Sequence, residues 1–137
     1  MTKLSDVMTP HPITVEPSDT IQQVDQIMHE KDIRQLPVVV GKELVGIITD
    51  RDLRLFLGGS VLSTPEERDK AMGTVVSTVM SSKPISLAPD DDLRDAVELL
   101  IEEKVGGIPV VEEEEGLVGI VTYVDVLRCF LENLEED

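Results

Sequence analysis

The feature of this sequence that most constrains its fold is an internal duplication. Residues 7–39 match residues 79–111 at an offset of 72, and residues 44–52 match residues 117–125 at an offset of 73. Of these 42 paired positions, 16 are identical. So long a period indicates a duplicated small domain and not a solenoid repeat. Because a core built from only about 60 residues is marginal, we expect the two copies to bury their sheets against each other.

Both copies show the same order of local signals. A short segment between prolines, residues 12–17 in the first copy, is expected to be extended, since proline disfavours a helix at the residue before it. A helix then begins after Ser18 or Asp19, or after the acidic run 90–92 in the second copy. The apolar positions of these helices fall on one face: Ile21, Val24, Ile27 and Met28, and Leu93, Ala96, Val97, Leu100 and Ile101.

Two β-branched runs follow the helix in each copy. Residues 36–40 and 44–49, separated by Gly41-Lys42-Glu43, predict a hairpin, which residues 108–111 and 117–122 repeat. A last helix begins near Asp50 or Tyr123, and in the first copy it is expected to end at a Gly58-Gly59 cap. The side chains that it is expected to bury are Leu53, Phe56, Leu57, Leu127, Phe130 and Leu131.

These signals predict an α/β fold of the α+β type. Two tandem β-α-β-β-α repeats would pack as a pseudo-twofold pair. The predicted boundaries are 1–58 for the first repeat, 59–74 for a linker rich in Gly, Ser, Pro and charge, and 75–137 for the second repeat. A helical turn is expected within the linker, at Pro65–Met72.

The charge of the chain excludes two classes of partner. The formal net charge is −16 at pH 7, and residues 59–137 carry nineteen acidic side chains against six basic ones. Nucleic-acid backbones and anionic membranes both require a basic surface, so we expect neither as a partner. A small anionic ligand remains compatible with this charge, because charges beyond a Debye length of about 8 Å are largely screened.

Cysteine content and apolar patterning predict the compartment. The one cysteine, Cys129, precludes an internal disulfide and fits a reducing environment. No apolar run reaches the ~18–20 residues that a bilayer span needs. The amino-terminal residues show no apolar signal-peptide segment. The sequence therefore predicts a soluble, cytoplasmic protein.

Several stretches of both copies resemble the CBS domain. They are Val7-Met8-Thr9-Pro10, residues 33–39 and residues 46–53, with residues 105–111 and 119–126 in the second copy. The resemblance covers everything except the linker and the tails, and it implies a stand-alone CBS pair with two clefts. Such pairs often form disk-like homodimers through their helices. Their clefts bind AMP, ADP, ATP, S-adenosylmethionine or related ligands, and binding regulates an attached or associated protein.

The resemblance assigns the ligand contacts first to two Thr-x-x-Asp elements, Thr49/Asp52 and Thr122/Asp125. In such proteins the Asp accepts hydrogen bonds from the ribose 2′- and 3′-hydroxyls, and the Thr lies near the ribose or phosphate. The chemistry is suitable, because a carboxylate offers two oxygens to a vicinal diol and a helix N-terminus favours an anion. The same pattern is also a capping box, which needs no ligand. Both roles are compatible.

By the same resemblance, each cleft draws on both copies. The first cleft would be formed by Thr49, Arg51, Asp52, Arg34 and Leu36 with Lys83, Ile85 and Ser86. The second would be formed by Thr122, Asp125 and Ile108 with His11, Ile13 and Thr14. Gly106 and Val124 replace the two arginines in the second copy. We therefore expect a phosphorylated ligand in the first cleft, and a less charged adenosine compound or none in the second. Alternatively, the arginines are solvated or pair with Asp32 or Asp50.

No set of residues in the sequence predicts catalysis or a metal site. His11 and His29 do not share a helical face, and Cys129 beside Phe130 is expected in the core. The acidic runs 90–92 and 112–115 are typical of a capped helix and a solvated turn. The predicted function is a non-catalytic regulatory sensor of an adenosine nucleotide (AMP, ADP or ATP) that needs no cofactor and acts on an unidentified protein. The alternatives are a dimerising scaffold without ligand, a binder of S-adenosylmethionine or an NAD-type ligand, and, least favoured, a metal-dependent enzyme.

Overall fold

The computed structural model describes residues 1–58 and 64–136. The first five residues of the predicted linker, 59–63, lie outside the described residues. They include Gly59, one half of the predicted glycine cap. In chain order the elements are α1 (Leu4–Val7), β1 (Thr9–Pro10), α2 (Ile21–Lys31), β2 (Gln35–Val40), β3 (Glu43–Thr49), α3 (Asp50–Leu57), α4 (Pro65–Met72), α5 (Val76–Val79), β4 (Ser81–Ser82), α6 (Leu93–Glu103), β5 (Gly107–Glu112), β6 (Gly116–Thr122) and α7 (Tyr123–Glu136). The predicted mixture of helices and strands is confirmed.

The chain divides into two compact units, and the segment that opens each sequence repeat belongs to the unit that contains the hairpin of the other repeat. One unit is Ile13–Pro84; the other combines Met1–Pro12 with Ile85–Asp137. Residues 1–12 open the first sequence repeat, yet they belong to the unit that contains the second hairpin. The division into compact units therefore differs from the division into sequence repeats.

The unit of residues 13–84 holds an antiparallel sheet with strand order β2-β3-β4. β2 and β3 form the predicted hairpin, with Gln35 opposite Thr49 and an irregularity between Val38 and Val39. The predicted first strand, residues 12–17, is reduced to one parallel bridge between Val15 and Val38. The prolines at both ends of this segment lack the N–H groups that a longer ladder requires.

The second unit repeats this arrangement with strand order β1-β6-β5. Gly107 lies opposite Thr122, the irregularity falls between Val110 and Val111, and Leu87 forms the single parallel bridge. The sequence duplication is thus reproduced at the level of strand pairing.

A methionine lies against a glycine in each unit, which explains two of the identities between the copies. A Cβ added at Gly46 would be 2.5 Å from Met80 Sδ and 3.0 Å from the carbonyl oxygen of Ser81. A Cβ added at Gly119 would be closer still to Met8 Sδ and 3.0 Å from the carbonyl oxygen of Thr9. Only glycine allows the β1 and β4 segments to approach the hairpins this closely.

The predicted N-cap of the first long helix is wrong by one or two residues. The cap of α2 is Thr20, whose hydroxyl accepts a hydrogen bond from Gln23 N while the Gln23 side chain accepts one from Thr20 N. Asp19 instead accepts a hydrogen bond from Glu16 N in the preceding turn. In the second copy the cap is Asp92, within the predicted acidic run.

The other helix ends agree with the sequence only in part. α4 forms at the position of the predicted helical turn, with Thr64 as its N-cap and proline in its first turn. Gly58 has φ −59° and ψ −25°, a right-handed helical conformation, so it does not provide the left-handed cap that was expected.

Each unit has its own apolar core. In the unit of residues 13–84 the buried side chains are Val15, Ile21, Val24, Met28, Leu36, Val38, Ile48, Leu53 and Val76. In the other unit they are Leu4, Ala96, Ile108, Val110 and Val121. Leu4 and Val76 come from the short helices α1 and α5, which the sequence analysis did not predict.

Several predicted core residues are exposed instead. On α7, Leu127 and Phe130 are 59% and 60% exposed, and Leu131 is also exposed, as are Ile101 on α6 and Phe56 on α3. Their helices bury other side chains in the units, such as Val126 of α7 and Leu53 of α3. The apolar pattern predicted the helices correctly, but these residues lie on helix faces that the described part of the chain leaves exposed.

Among the described residues, no helix has both the length and the apolar character that a membrane crossing requires.

Candidate functional site

The first Thr-x-x-Asp element lies at the junction of β3 and α3. Thr49 ends the strand and is the N-cap of the helix; its Oγ1 accepts a hydrogen bond from Asp52 N at 3.1 Å. Asp52 Oδ2 in turn accepts one from Thr49 N at 2.9 Å. The capping box is therefore present. Within residues 1–58 and 64–136, Asp52 Oδ1 accepts no hydrogen bond, and Asp52 is only half-buried.

The second element, at the junction of β6 and α7, has the same capping geometry. Asp125 Oδ2 accepts hydrogen bonds from Thr122 N at 2.9 Å and from Thr122 Oγ1 at 3.2 Å. Here the other carboxylate oxygen is also engaged: Asp125 Oδ1 accepts from Thr9 Oγ1 at 2.9 Å and from Arg128 Nη1 at 3.4 Å. Asp125 is 4% exposed and is the one buried charged residue in the described part of the chain.

The sequence analysis did not select Thr9 or Arg128 as site residues. The signal for Arg128 is its position three residues after Asp125 on one helix, a spacing at which side chains meet. The signal for Thr9 is a hydroxyl directly after Val-Met in both copies, Thr9 and Ser81. Pairing of β1 with β6 brings Thr9 to a residue 116 positions away.

The predicted phosphate-contacting arginines have different surroundings. Arg34 lines a cavity of about 680 Å³ that contains neither Thr49 nor Asp52. The cavity is also lined by the charged residues Asp25, Asp32, Asp50, Arg54 and Arg68, and by His29. Arg51 is exposed, and neither it nor Arg34 has an ion-pair partner within 4 Å in the described residues. Both arginines are therefore accessible, but Arg34 faces a different space from the Thr49/Asp52 pair.

Lys83 and His11 occupy equivalent positions directly after the short strands, and both have unusual backbones. Their φ angles are 56° and 50°, in the left-handed region that non-glycine residues seldom occupy. Both side chains are exposed. The amide of His11 donates to the carbonyl of Val118 at 3.3 Å. The turn thus projects a basic side chain from the same point of each unit.

The remaining predicted residues fall into two groups. Leu36 and Ile108 are fully buried in the cores of their units, so only their backbones are available to a ligand. Ile13, Ile85 and Ser86 are exposed and Thr14 is half-buried. Ile13 and Thr14 belong to the unit of residues 13–84, whereas Ile85 and Ser86 belong to the other unit.

The described residues form no cluster of three or more His, Cys, Asp or Glu side chains suited to a metal ion. No buried side-chain nitrogen or oxygen in the described part of the chain lacks a hydrogen-bond partner. The candidate site is thus composed of capping residues, accessible cations and Asp52 Oδ1, a carboxylate oxygen that accepts no hydrogen bond among the described residues.

Comparison with curated proteins gives relatives that are longer than this chain. The Methanocaldococcus jannaschii protein MJ1225 is 33% identical over 133 residues, which cover 91% of this chain and 48% of that protein. Inosine-5'-monophosphate dehydrogenase of Korarchaeum cryptofilum is 35% identical over 114 residues, 83% of this chain and 21% of the enzyme. The chain therefore spans half or less of these relatives.

Two solved structures match this chain along almost their whole length. CBSX2 from Arabidopsis thaliana, solved in complex with AMP, is 30% identical with a TM-score of 0.82, and the match covers 96% of this chain and 98% of that one. The CBS domain pair of MJ0100, solved with 5'-methylthioadenosine and S-adenosyl-L-methionine, is 25% identical with a TM-score of 0.81, covering 97% and 98%.

A comparison with known families matches the CBS domain at residues 4–59 and again at residues 76–132. Both copies of the duplication are included in these matches. The chain therefore belongs to the CBS domain family and carries two tandem CBS domains.

Proposed function

We propose that this chain is a regulatory module that binds an adenosine-containing ligand, catalyses no reaction and passes its ligand state to another protein. The observation that carries the proposal is the half-buried Asp52, whose Oδ1 accepts no bond among the described residues. A ribose offers two adjacent hydroxyl donors, which such a carboxylate can accept. CBS pairs of the same fold bind AMP or 5'-methylthioadenosine and S-adenosyl-L-methionine.

The proposed ligand of the Asp52 site is an adenosine nucleotide such as AMP, ADP or ATP. Arg51 and Lys83 are exposed cations from the same compact unit, and they offer charge compensation for a phosphate. Ile85 and Ser86, which are both exposed, are also proposed as ligand contacts. Arg34 stays in the proposal, but as a residue that lines the separate cavity of about 680 Å³ and not as a neighbour of Asp52.

The test is isothermal titration of AMP against the wild type and Asp52→Asn. Asp52 is the third residue of α3, and asparagine keeps nearly the same shape and an oxygen that can accept the hydrogen bond from Thr49 N, so the fold is expected to persist. Loss of a charge-assisted hydrogen bond is expected to weaken binding about 10- to 150-fold. Asp69→Asn is the matched control: Asp69 is an exposed acid on α4 of the same unit, and it lies outside both the proposed site and the cavity that Arg34 lines. Equal affinity of Asp52→Asn and wild type would contradict the proposal.

The regulated protein is proposed by analogy with the longer relatives. This chain matches 21% of an inosine-5'-monophosphate dehydrogenase and 48% of MJ1225, so the CBS segment accompanies other sequence in those proteins. We propose a comparable role here, on an attached or associated protein. Cys129 is free, which supports a reducing, cytoplasmic location.

A second candidate, a dimerising scaffold, is favoured by the exposed face of α7. Six large apolar side chains recur on it at intervals of mostly three or four residues: Tyr123, Val124, Leu127, Phe130, Leu131 and Leu134. A contiguous apolar stripe is typical of a helix that packs against a partner. We propose that a second copy of the chain covers this stripe in a homodimer, which is compatible with ligand binding.

A further inference from the structure

The two equivalent aspartates of this chain are not equally available to a ligand. Asp125 accepts hydrogen bonds from four donor groups, two on each carboxylate oxygen. Among the described residues, Asp52 accepts one, from Thr49 N at 2.9 Å. A carboxylate has about four acceptor positions. Asp125 therefore has none left for the two hydroxyls of a ribose, while Asp52 has several.

Two of the additional bonds of Asp125 come from positions at which the copies differ in sequence. The position equivalent to Arg128 in the first copy is Leu55, which has no hydrogen-bond donor in its side chain and is 72% exposed. The position equivalent to Thr9 is Ser81, which makes no hydrogen bond to Asp52 within the described residues. Two of the three extra bonds of Asp125, those from Thr9 and Arg128, thus come from residues that differ between the copies, and the third comes from the Oγ1 of Thr122, which is Thr49 in the first copy.

We propose that Thr9 and Arg128 form a latch on Asp125 that keeps the second Thr-x-x-Asp element from binding ribose. This inference rests on the proposed function, because it assumes that Asp52 binds an adenosine ligand. The wild type then binds one such ligand per chain, at Asp52. Thr9 makes the stronger bond, since its donor is 0.5 Å closer than that of Arg128, whose side chain is 62% exposed.

The latch lowers the affinity of the second Thr-x-x-Asp element for an adenosine ligand, because a ligand at Asp125 must first displace a hydrogen bond to a buried carboxylate. Bonds of this class correspond to about 10- to 150-fold in affinity. Removal of the two donors should therefore strengthen a second site by about this factor. Thr122 and the capping box are left in place, so α7 keeps its first turn.

The experiment is titration of AMP against the wild type and the double variant Thr9→Val/Arg128→Leu. Valine has nearly the shape of threonine without the hydroxyl, and leucine is the residue that the first copy carries. The expected stoichiometry is one AMP per chain for the wild type and two for the double variant. Addition of Asp125→Asn should abolish the gained site. Arg94→Leu is the matched control, since it removes an exposed arginine of the same unit that pairs with Glu98.

The possible outcomes separate the latch from the proposed function. A wild type that binds no AMP contradicts the proposed function. A folded double variant that gains no site overturns the latch, whatever the wild type does. A wild type with two equal sites, one of them lost in Asp125→Asn, overturns it too. If the double variant does not fold, Thr9→Val alone decides, because Thr9 makes the stronger bond: a weaker second site supports the latch, and unchanged stoichiometry overturns it.

Discussion

Replacement of Gly119 by alanine tests how the amino-terminal segment is held on the second hairpin. The added Cβ would be 2.9 Å from Met8 Cγ, closer still to its sulfur, and 3.0 Å from the carbonyl oxygen of Thr9. The methionine side chain can rotate away from the added Cβ, but because Cγ itself must move, most of the side chain has to move with it. The carbonyl oxygen belongs to strand β1, which pairs with β6 at this point. The strand itself must therefore move.

Such overpacking costs about 1–3 kcal/mol of unfolding free energy. For a chain of this size, that loss lowers the melting temperature by about 3–12 °C. Because β1 carries Thr9, the same shift should lengthen the hydrogen bond between Thr9 Oγ1 and Asp125 Oδ1, now 2.9 Å. Gly119→Ala is thus expected to destabilise the protein and to loosen the latch together.

The assay is chemical and thermal unfolding, followed by circular dichroism. The control is Gly73→Ala, where the nearest atom to an added Cβ is 3.5 Å away and φ is −83°. That substitution should be neutral or slightly stabilising, because alanine has less freedom in the unfolded chain. If Gly119→Ala unfolds at the same temperature as the wild type, the inference that β1 lies too close to β6 for an alanine at this position is wrong.

Two further predictions concern local structure and association. Thr20→Ala should cost about 1 kcal/mol in urea unfolding, because it removes the hydrogen bond that Thr20 Oγ1 accepts from Gln23 N at the start of α2; Ser18→Ala, at a position predicted to cap from the sequence, should leave stability unchanged. Sedimentation velocity should show a dimer for the wild type and a monomer for Leu131→Glu, with Glu132→Gln as the control; a monomeric wild type would remove the proposed homodimer.

The sequence predicted those elements whose signals are local. Alternating and β-branched runs located both hairpins, and the 3.6-residue period located α2 and α6. The helices α1 and α5 were missed because four residues are too few to show a period. The cap of α2 was misplaced because Ser18, Asp19 and Thr20 are all capable of capping, and only the backbone geometry distinguishes them.

Pairing between segments that are distant in the chain could not be predicted from the sequence. Nothing near residues 1–12 indicates that they complete the unit of residues 85–137, so Thr9 could not be assigned to Asp125. The apolar face of α7 was recognised, but periodicity does not say what covers it, and Phe130 proved to be exposed. By contrast, the capping role of the two Thr-x-x-Asp elements was predicted correctly, because their hydrogen bonds span only three residues.

The most direct test of the account is a crystal structure of this protein grown with AMP. The account predicts one AMP per chain, with both ribose hydroxyls within about 3.2 Å of the Asp52 carboxylate and with Asp125 still bonded to Thr9. An AMP whose ribose contacts other residues, while Asp52 remains bonded only to Thr49 N, would contradict the assignment of Asp52 as the ribose acceptor.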